Sequence, residues 1–185
     1  GGSHLFDPET DTYNVPYIQR LLPDLPLKLI NLVHRQQGLM VLPGNPKNIQ
    51  GFVDLTRPEV RFTNRKRGSG TRILLDYQLA QQGISPGAIQ GYGQEEYTHM
   101  AVAVNVLSGA ADAGLGIMAA ARALGLDFIP VVTERYDLVV PETTFADERF
   151  QKLLGIIRSE EFKTAVLALG GYDCRDTGRV MYEQA

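Results

Sequence analysis

Residues 60–82, VRFTNRKRGSGTRILLDYQLAQQ, restrict the fold more than any other part of the chain. A short alternating apolar run, Val60 and Phe62, leads into Asn64-Arg65-Lys66-Arg67. The small, flexible Gly68-Ser69-Gly70-Thr71 follows, and then a helix-forming run over residues 72–82. Strand, basic turn, glycine-hydroxyl loop and helix, in that order, build an anion site. The first turn of a helix carries unpaired N–H groups and about half a positive charge. Gly68 and Gly70 let a ligand approach that backbone, and Ser69 and Thr71 can cap the helix or donate to a bound oxygen. Arg65, Arg67 and Arg72 add charged donors in fork geometry. The alternative is a plain strand-to-helix turn capped by Ser69, with solvated arginines.

Composition narrows the function classes. The 185 residues suffice for one domain or two small lobes. A net charge of −3 argues against a nucleic-acid footprint over the whole surface. A single cysteine, Cys174, excludes an intramolecular disulfide framework. With three histidines and no CxxC spacing, no metal cluster or catalytic triad can be assembled. A non-catalytic chain without metal or cofactor is therefore expected. No run of 18 apolar residues and no charged-then-apolar leader is present, so the expectation is a cytoplasmic protein without membrane contact.

Along the chain, residues 15–22 read as a short helix stopped by Pro23, and residues 27–33 as a mostly buried strand. Gln36-Gln37-Gly38 reads as a turn before a second strand over residues 39–42. Residues 51–55 suggest a brief helix. After the basic loop and its helix, Gly83 supplies a C-cap. Residues 97–107 form a helix with Met100, Val104 and Leu107 on one side and Val102 and Val106 beside them, apolar nearly all round and so expected to be deeply buried. Residues 111–116, ADAGLG, read as a strand ending in a glycine turn, and residues 118–124 as a helix. Two strands, 128–133 and 136–140, precede two amphipathic helices carrying Phe150, Leu153, Leu154 and Ile157, then Phe162, Val166 and Leu169. The tail after Gly170-Gly171 is polar and expected to be extended. Strands alternating with helices make the chain α/β.

The layout suggests two lobes. Residues 46–127 form a self-contained unit with the anion loop; residues 1–45 and 128–185 form a discontinuous first lobe with hinge strands. Four blocks then carry a family likeness: Arg65…Gly68-Ser69-Gly70-Thr71-Arg72, Glu95-Glu96-Tyr97-Thr98-His99, Ser108-Gly109-Ala110-Ala111-Asp112-Ala113-Gly114 and Gly170-Gly171-Tyr172-Asp173. In these the chain resembles the periplasmic-binding-protein-like domains grouped with molybdate and tungstate binders, which also occur fused to helix-turn-helix regulators or molybdopterin-biosynthesis proteins. The resemblance implies a type II periplasmic-binding-protein fold, two lobes joined by crossing strands, and a small anionic ligand in the cleft, in a sensor or regulatory module. Family members carry a further β-α-β stretch before the equivalent of Gly2-Ser3-His4, so the first lobe is expected to be incomplete here, or completed by another segment or a second copy. Molybdate binders have a tyrosine soon after the ADAG strand; this chain has Ile117.

The expected ligand-binding residues are Arg65, Ser69, Gly70, Thr71, Arg72, Thr98, His99, Gly114 and Gly116. His99 either binds an anion or is satisfied by a backbone carbonyl. Glu95 and Glu96 favour the helix start and read as partners of Arg65 or Arg67. Gly114 and Gly116 either admit a ligand or form a plain turn. Tyr13 and Asn14 read as packing and turn residues, and Ser3 and His4 either as a first-lobe strand end or as a tag remnant. Two other function classes stay open. Gly114-Leu115-Gly116-Ile117-Met118-Ala119 fits G-x-G-x-x-A, with Glu134 twenty residues on, and so imitates a dinucleotide-binding enzyme. In a two-lobed binder, by contrast, Glu134 is a solvated or hinge carboxylate. The third class is a ligand-free interaction or dimerisation module.

Overall fold

The computed structural model describes residues 1–185. In chain order the elements are strands β1 (Gly2–Ser3), β2 (Phe6–Asp7) and β3 (Thr12–Tyr13), helix α1 (Val15–Leu21) and the long strand β4 (Leu27–Val41). A 3-10 turn (Phe52–Thr56) leads to β5 (Phe62–Arg65) and α2 (Gly70–Gln81). A second (Pro86–Ala88) leads to β6 (Glu95–Glu96), α3 (His99–Leu107), β7 (Ala113–Ile117) and α4 (Met118–Ala123). The long strand β8 (Asp127–Pro141) is followed by α5 (Glu142–Phe145), α6 (Glu148–Arg158), α7 (Glu160–Leu169), β9 (Tyr172–Asp173) and β10 (Val180–Gln184). The chain is mixed α/β, as the alternation of strands and helices predicts. It divides into two compact units, Gly1–Arg35 with Thr133–Ala185 (the split unit) and Gln36–Val132 (the continuous unit).

In the continuous unit β7 is antiparallel to β4, with Leu115 opposite Leu39, and parallel to β5, with Thr63 opposite Gly114. Strand β6 lies parallel to β5 on its other side, with Arg65 opposite Glu96. One apolar cluster joins Leu39, Val41, Phe62 and Leu115 of these strands to Leu75 and Leu79 of α2; a second joins Met40 to Val102, Ala103 and Val106 of α3. Full burial of each large side chain stabilises by roughly 1.5–3 kcal/mol. Since β5, β6 and β7 run parallel and each is followed by a helix, the starts of α2, α3 and α4 gather beyond the carboxyl ends of the strands. That edge is where ligands collect in sheets of this kind.

The split unit is closed by both ends of the chain. Ser3 of β1 pairs opposite Asp137 of β8, while Glu183 of β10 lies opposite Lys28 and Asp173 of β9 opposite His34, both on β4. Its apolar clusters centre on Ile18, Leu27 and Leu29, and on Ile30, Val140 and Leu154. Between them lies a polar interior. The fully buried Asp137 accepts from Asn14 at 2.8 Å, Asn31 at 3.1 Å and Arg135 at 2.8 Å. The buried Glu134 is paired with His4 Nδ1 at 2.9 Å and with Arg35 Nε. Burial opposes the Glu134 charge, but the His4 hydrogen bond and the Arg35 guanidinium hold its carboxyl below the usual glutamate range. Glu134 is therefore an interior ion-pair residue and not a solvated one. Ser3 and His4 are likewise integral to this unit, for Ser3 Oγ donates to Asn14 Oδ1 at 2.8 Å and the His4 ring stacks on Tyr136.

Three local expectations change. Gln36-Gln37-Gly38 is no turn, because β4 runs through it unbroken. A Cβ on Gly38 would sit 2.2 Å from the Ile129 carbonyl oxygen and 2.6 Å from the Phe128 ring, so this glycine permits close approach of β8. Strand β8 is also a single 15-residue strand and not two. Helix α3 buries only Val102, Ala103 and Val106; Met100, Val104 and Leu107 are 42%, 50% and 47% exposed. The sheet covers one face of that helix fully, and the other face is left about half exposed. The tail is extended in β9 and β10, as expected, and lies back along β4, with Thr177 Oγ1 donating to the Leu32 carbonyl at 2.9 Å and His34 bonded to Asp176 at 2.9 Å.

Candidate ligand-binding site

The loop between β5 and α2 has the local chemistry that its residues predict. Gly68 takes φ +79°, a conformation that L side chains rarely adopt, and turns the chain. Ser69 is the N-cap, and its hydroxyl oxygen accepts from the Arg72 amide at 3.2 Å. Gly70 and Thr71 occupy the first two helical positions, where amides have no acceptor within the helix. Thr71 is 1% exposed, and its Oγ1 has no hydrogen-bond partner. A buried hydroxyl without a partner is costly, by about 1–3 kcal/mol, and here it stands in the first turn of a 12-residue helix.

Helix α3 opens at the same edge. Thr98 is its N-cap and accepts from the Ala101 amide at 3.0 Å, and His99 is the first helical residue. The His99 ring lies against β7, with Nδ1 3.5 Å from where a Cβ on Gly116 would stand. Arg65 reaches the same junction, for its Nη2 donates to the Tyr97 carbonyl at 3.0 Å. The structure thus brings Arg65, Thr98, His99 and Gly116 to neighbouring strand ends. Asn105 supports them from within α3, donating to Thr63 Oγ1 at 3.2 Å and Glu96 Oε1 at 2.9 Å.

Arg72 does something else. Its side chain is 5% exposed and bonds Asp76 and Glu95 at 3.1 Å each, while the guanidinium lies 4.1 Å from the centroid of the Tyr92 ring. Burial alone would weaken its charge, but the Tyr92 and Asp76 contacts more than offset this and raise its pKa. Arg72 braces α2 against β6. The i, i+4 spacing of Arg72 and Asp76 was visible in the sequence; Tyr92 was not a candidate because the contact depends on the loop before β6. Glu95 also draws Arg67 to 3.6 Å, one of the pairings expected for it, whereas Glu96 is held by Asn105.

Gly114 and Gly116 lie inside β7 and not in a turn. A Cβ on Gly114 would meet Val102 Cγ1 at 2.4 Å, and one on Gly116 would meet Met40 Cε at 2.5 Å. Protein side chains fill the space that the missing Cβ atoms leave, so these glycines seat α3 and Met40 on the strand. A dinucleotide fingerprint needs its glycines at the strand-to-helix turn, open to a pyrophosphate, and these two are neither. Glu134, the acid that reading would place on a ribose, is occupied by His4 and Arg35. No group of three or more His, Cys, Asp or Glu side chains is placed to hold a metal ion, and no helix is long and apolar enough to cross a membrane.

Known proteins agree with this architecture. A PBP superfamily domain matches residues 1–158. YvgK, an uncharacterised protein of Bacillus subtilis (strain 168), is 45% identical over 180 residues, which are 97% of this chain; the chain spans 58% of YvgK's length. The regulatory domain of Synechocystis PCC6803 CcmR, solved with 2-PG, is similar with a TM-score of 0.57 at 12% identity, over 72% of this chain and 66% of that one. The substrate-binding domain of a molybdenum ABC transporter from Clostridium difficile is similar with a TM-score of 0.54 at 16% identity, over 85% and 72%. Family match, relative and shared type II architecture together show that the chain belongs to the PBP superfamily.

Proposed function

We propose that the continuous unit binds a small oxyanion at the carboxyl ends of β5, β6 and β7, without catalysis, as the ligand-sensing part of a regulatory protein. The observation that carries this is the buried, partnerless Thr71 hydroxyl in the first turn of α2, beside the free amides of Gly70 and Thr71. An anion there accepts from the hydroxyl and from helix N–H groups, with the helix dipole in its favour. Thr98, His99 and Arg65 extend the site, His99 through its ring and first-turn amide and Arg65 through whatever donor capacity its bond to Tyr97 leaves.

The ligand class takes its support from relatives in fold: one neighbour is a molybdenum transporter's binding domain and another a regulatory domain holding 2-PG. Molybdate, tungstate, sulfate and phosphate are therefore the probes to use. A regulatory role in the cytoplasm belongs to the same proposal, and cell fractionation of the native protein tests it. Calorimetric titration of the wild type and of Thr71→Val tests the site itself. The variant should bind the preferred anion more weakly by about 1–3 kcal/mol, as expected for loss of one buried donor. Unchanged affinity in a full titration would move the site elsewhere.

A further inference from the structure

Helix α3 has one face packed and one face open. Val102, Ala103 and Val106 are buried against the sheet and α4, and the Asn105 amide is spent on Thr63 and Glu96. The open face carries Met100, Val104 and Leu107, each about half exposed. Their i, i+4, i+7 spacing places them in one line along the helix, the spacing of a seam between two helices. A surface helix ordinarily turns charged or polar side chains to water there. Here residues 97–111, YTHMAVAVNVLSGAA, contain no Lys, Arg, Asp or Glu at all.

The absence of charge selects the occupant. A charged protein partner finds no counter-charge on this segment, and a membrane surface asks for basic residues beside an apolar stripe. A second copy of the chain needs neither. The chain carries a net charge of −3, so two copies repel each other, and an uncharged face is where they approach at least cost. The stripe also complements itself. Met100 lies four residues before Val104 and Leu107 three after it, so an antiparallel copy related by a two-fold axis at Val104 sets each Met100 on the other copy's Leu107.

We propose that α3 is the core of a weak two-fold contact between two copies of this chain, with Val104 on the axis and Met100 facing Leu107 on either side of it. Half of three large apolar side chains is on the order of 250 Å² per copy, against about 800 Å² that each partner gives to a standard interface. The stripe therefore supplies the centre of a contact and not a permanent dimer, and the pair forms only as concentration rises. The inference stands apart from the anion site at α2, and either can hold without the other.

The test is sedimentation equilibrium of the full chain from about 1 μM to about 1 mM, a range that covers weak association. The wild type should pass from monomer to dimer within it. Val104→Glu sets two like charges against each other on the axis and should stay monomeric throughout, and so should Val104→Lys. An equimolar mixture of the two variants should recover a dimer, because opposite charges then meet. Should changes at Val104 unfold the unit, Met100→Glu mixed with Leu107→Lys carries the same test, since these positions face each other beside the axis. A wild type that is monomeric at every concentration, whether it binds lipid vesicles or nothing, overturns the proposal. So does a Val104→Glu variant that dimerises as the wild type does, or a charge-paired mixture that stays monomeric.

Discussion

The two units treat buried polarity in opposite ways. In the split unit the two most deeply buried carboxylates are answered from within: Glu134 by Arg35 and His4, Asp137 by Asn14, Asn31 and Arg135. Asn31 Oδ1 is left over, but its amide nitrogen already serves Asp137. In the continuous unit one donor, Thr71 Oγ1, is left without an acceptor in the first turn of α2, where helix amides have none within the helix. A closed network holds a unit together; an open set of donors has a use only when something arrives to accept. The contrast separates residues that keep the fold from residues that the proposed site would use, and it puts the ion pairs of Arg72 with the former.

The sharpest way to break that contrast is Asp137→Ala, which strips the partner from Arg135 and from two buried amides. Urea unfolding should show a loss of about 3–5 kcal/mol, the range for breaking a buried charge pair. A loss below 1 kcal/mol would mean that the network is incidental. Gly114→Ala comes next. Its methyl would press on Val102 and Thr63, and overpacking of this kind costs about 1–3 kcal/mol, readable as a lower melting temperature. If the variant instead bound anions less well at unchanged stability, the glycine would belong to the site after all.

Smaller but more telling is the stability of Thr71→Val without ligand. Removing an orphaned hydroxyl should leave the melting temperature unchanged or raise it, by up to about 1 kcal/mol in stability. A fall would show that the hydroxyl has a structural partner. The smallest effect is in acid. Because the folded pKa of Glu134 lies below its ordinary value of 4.5, its contribution to stability is complete above that value and is lost as pH falls through the lower folded one. Glu134→Gln should therefore flatten the acid limb of the stability profile, measured by urea titration from neutral pH downward, and an unchanged slope would place the titrating group elsewhere.

Local chemistry was legible in the sequence, and long-range chemistry was not. Ser69 and Thr98 could be read as helix-start residues because capping depends on three or four neighbours. Thr71 was a candidate for the same reason. The turn expected at Gly38 failed because the need for glycine there comes from Ile129 and Phe128, some ninety residues on. Helix α3 looked uniformly buried because its sequence is apolar all round, and composition does not say how many faces a sheet will cover. Glu134 could not be assigned to His4 and Arg35, which lie 130 and 99 residues away. The contacts of Arg72 could not be read from its place beside the glycine loop, because they depend on the positions of Tyr92 and Glu95.

Strands β4 and β8 each supply residues to both units, and this bears on how the protein is made. Every residue of the continuous unit, 36–132, leaves the ribosome before the second segment of the other begins. It can acquire its core while synthesis continues, as domains commonly do from the amino-terminal side. Residues 1–35 must wait for β8 and then for β10, which pairs back to Leu27–Ile30 across some 150 positions. Pairings that distant form slowly, because the loop must close before any contact stabilises it. During that interval the amino-terminal half of β4 is an apolar edge without its neighbours. Termination between residues 133 and 180 should therefore yield a chain with a finished continuous unit and a sticky, unfinished remainder, a natural target for chaperones and proteases.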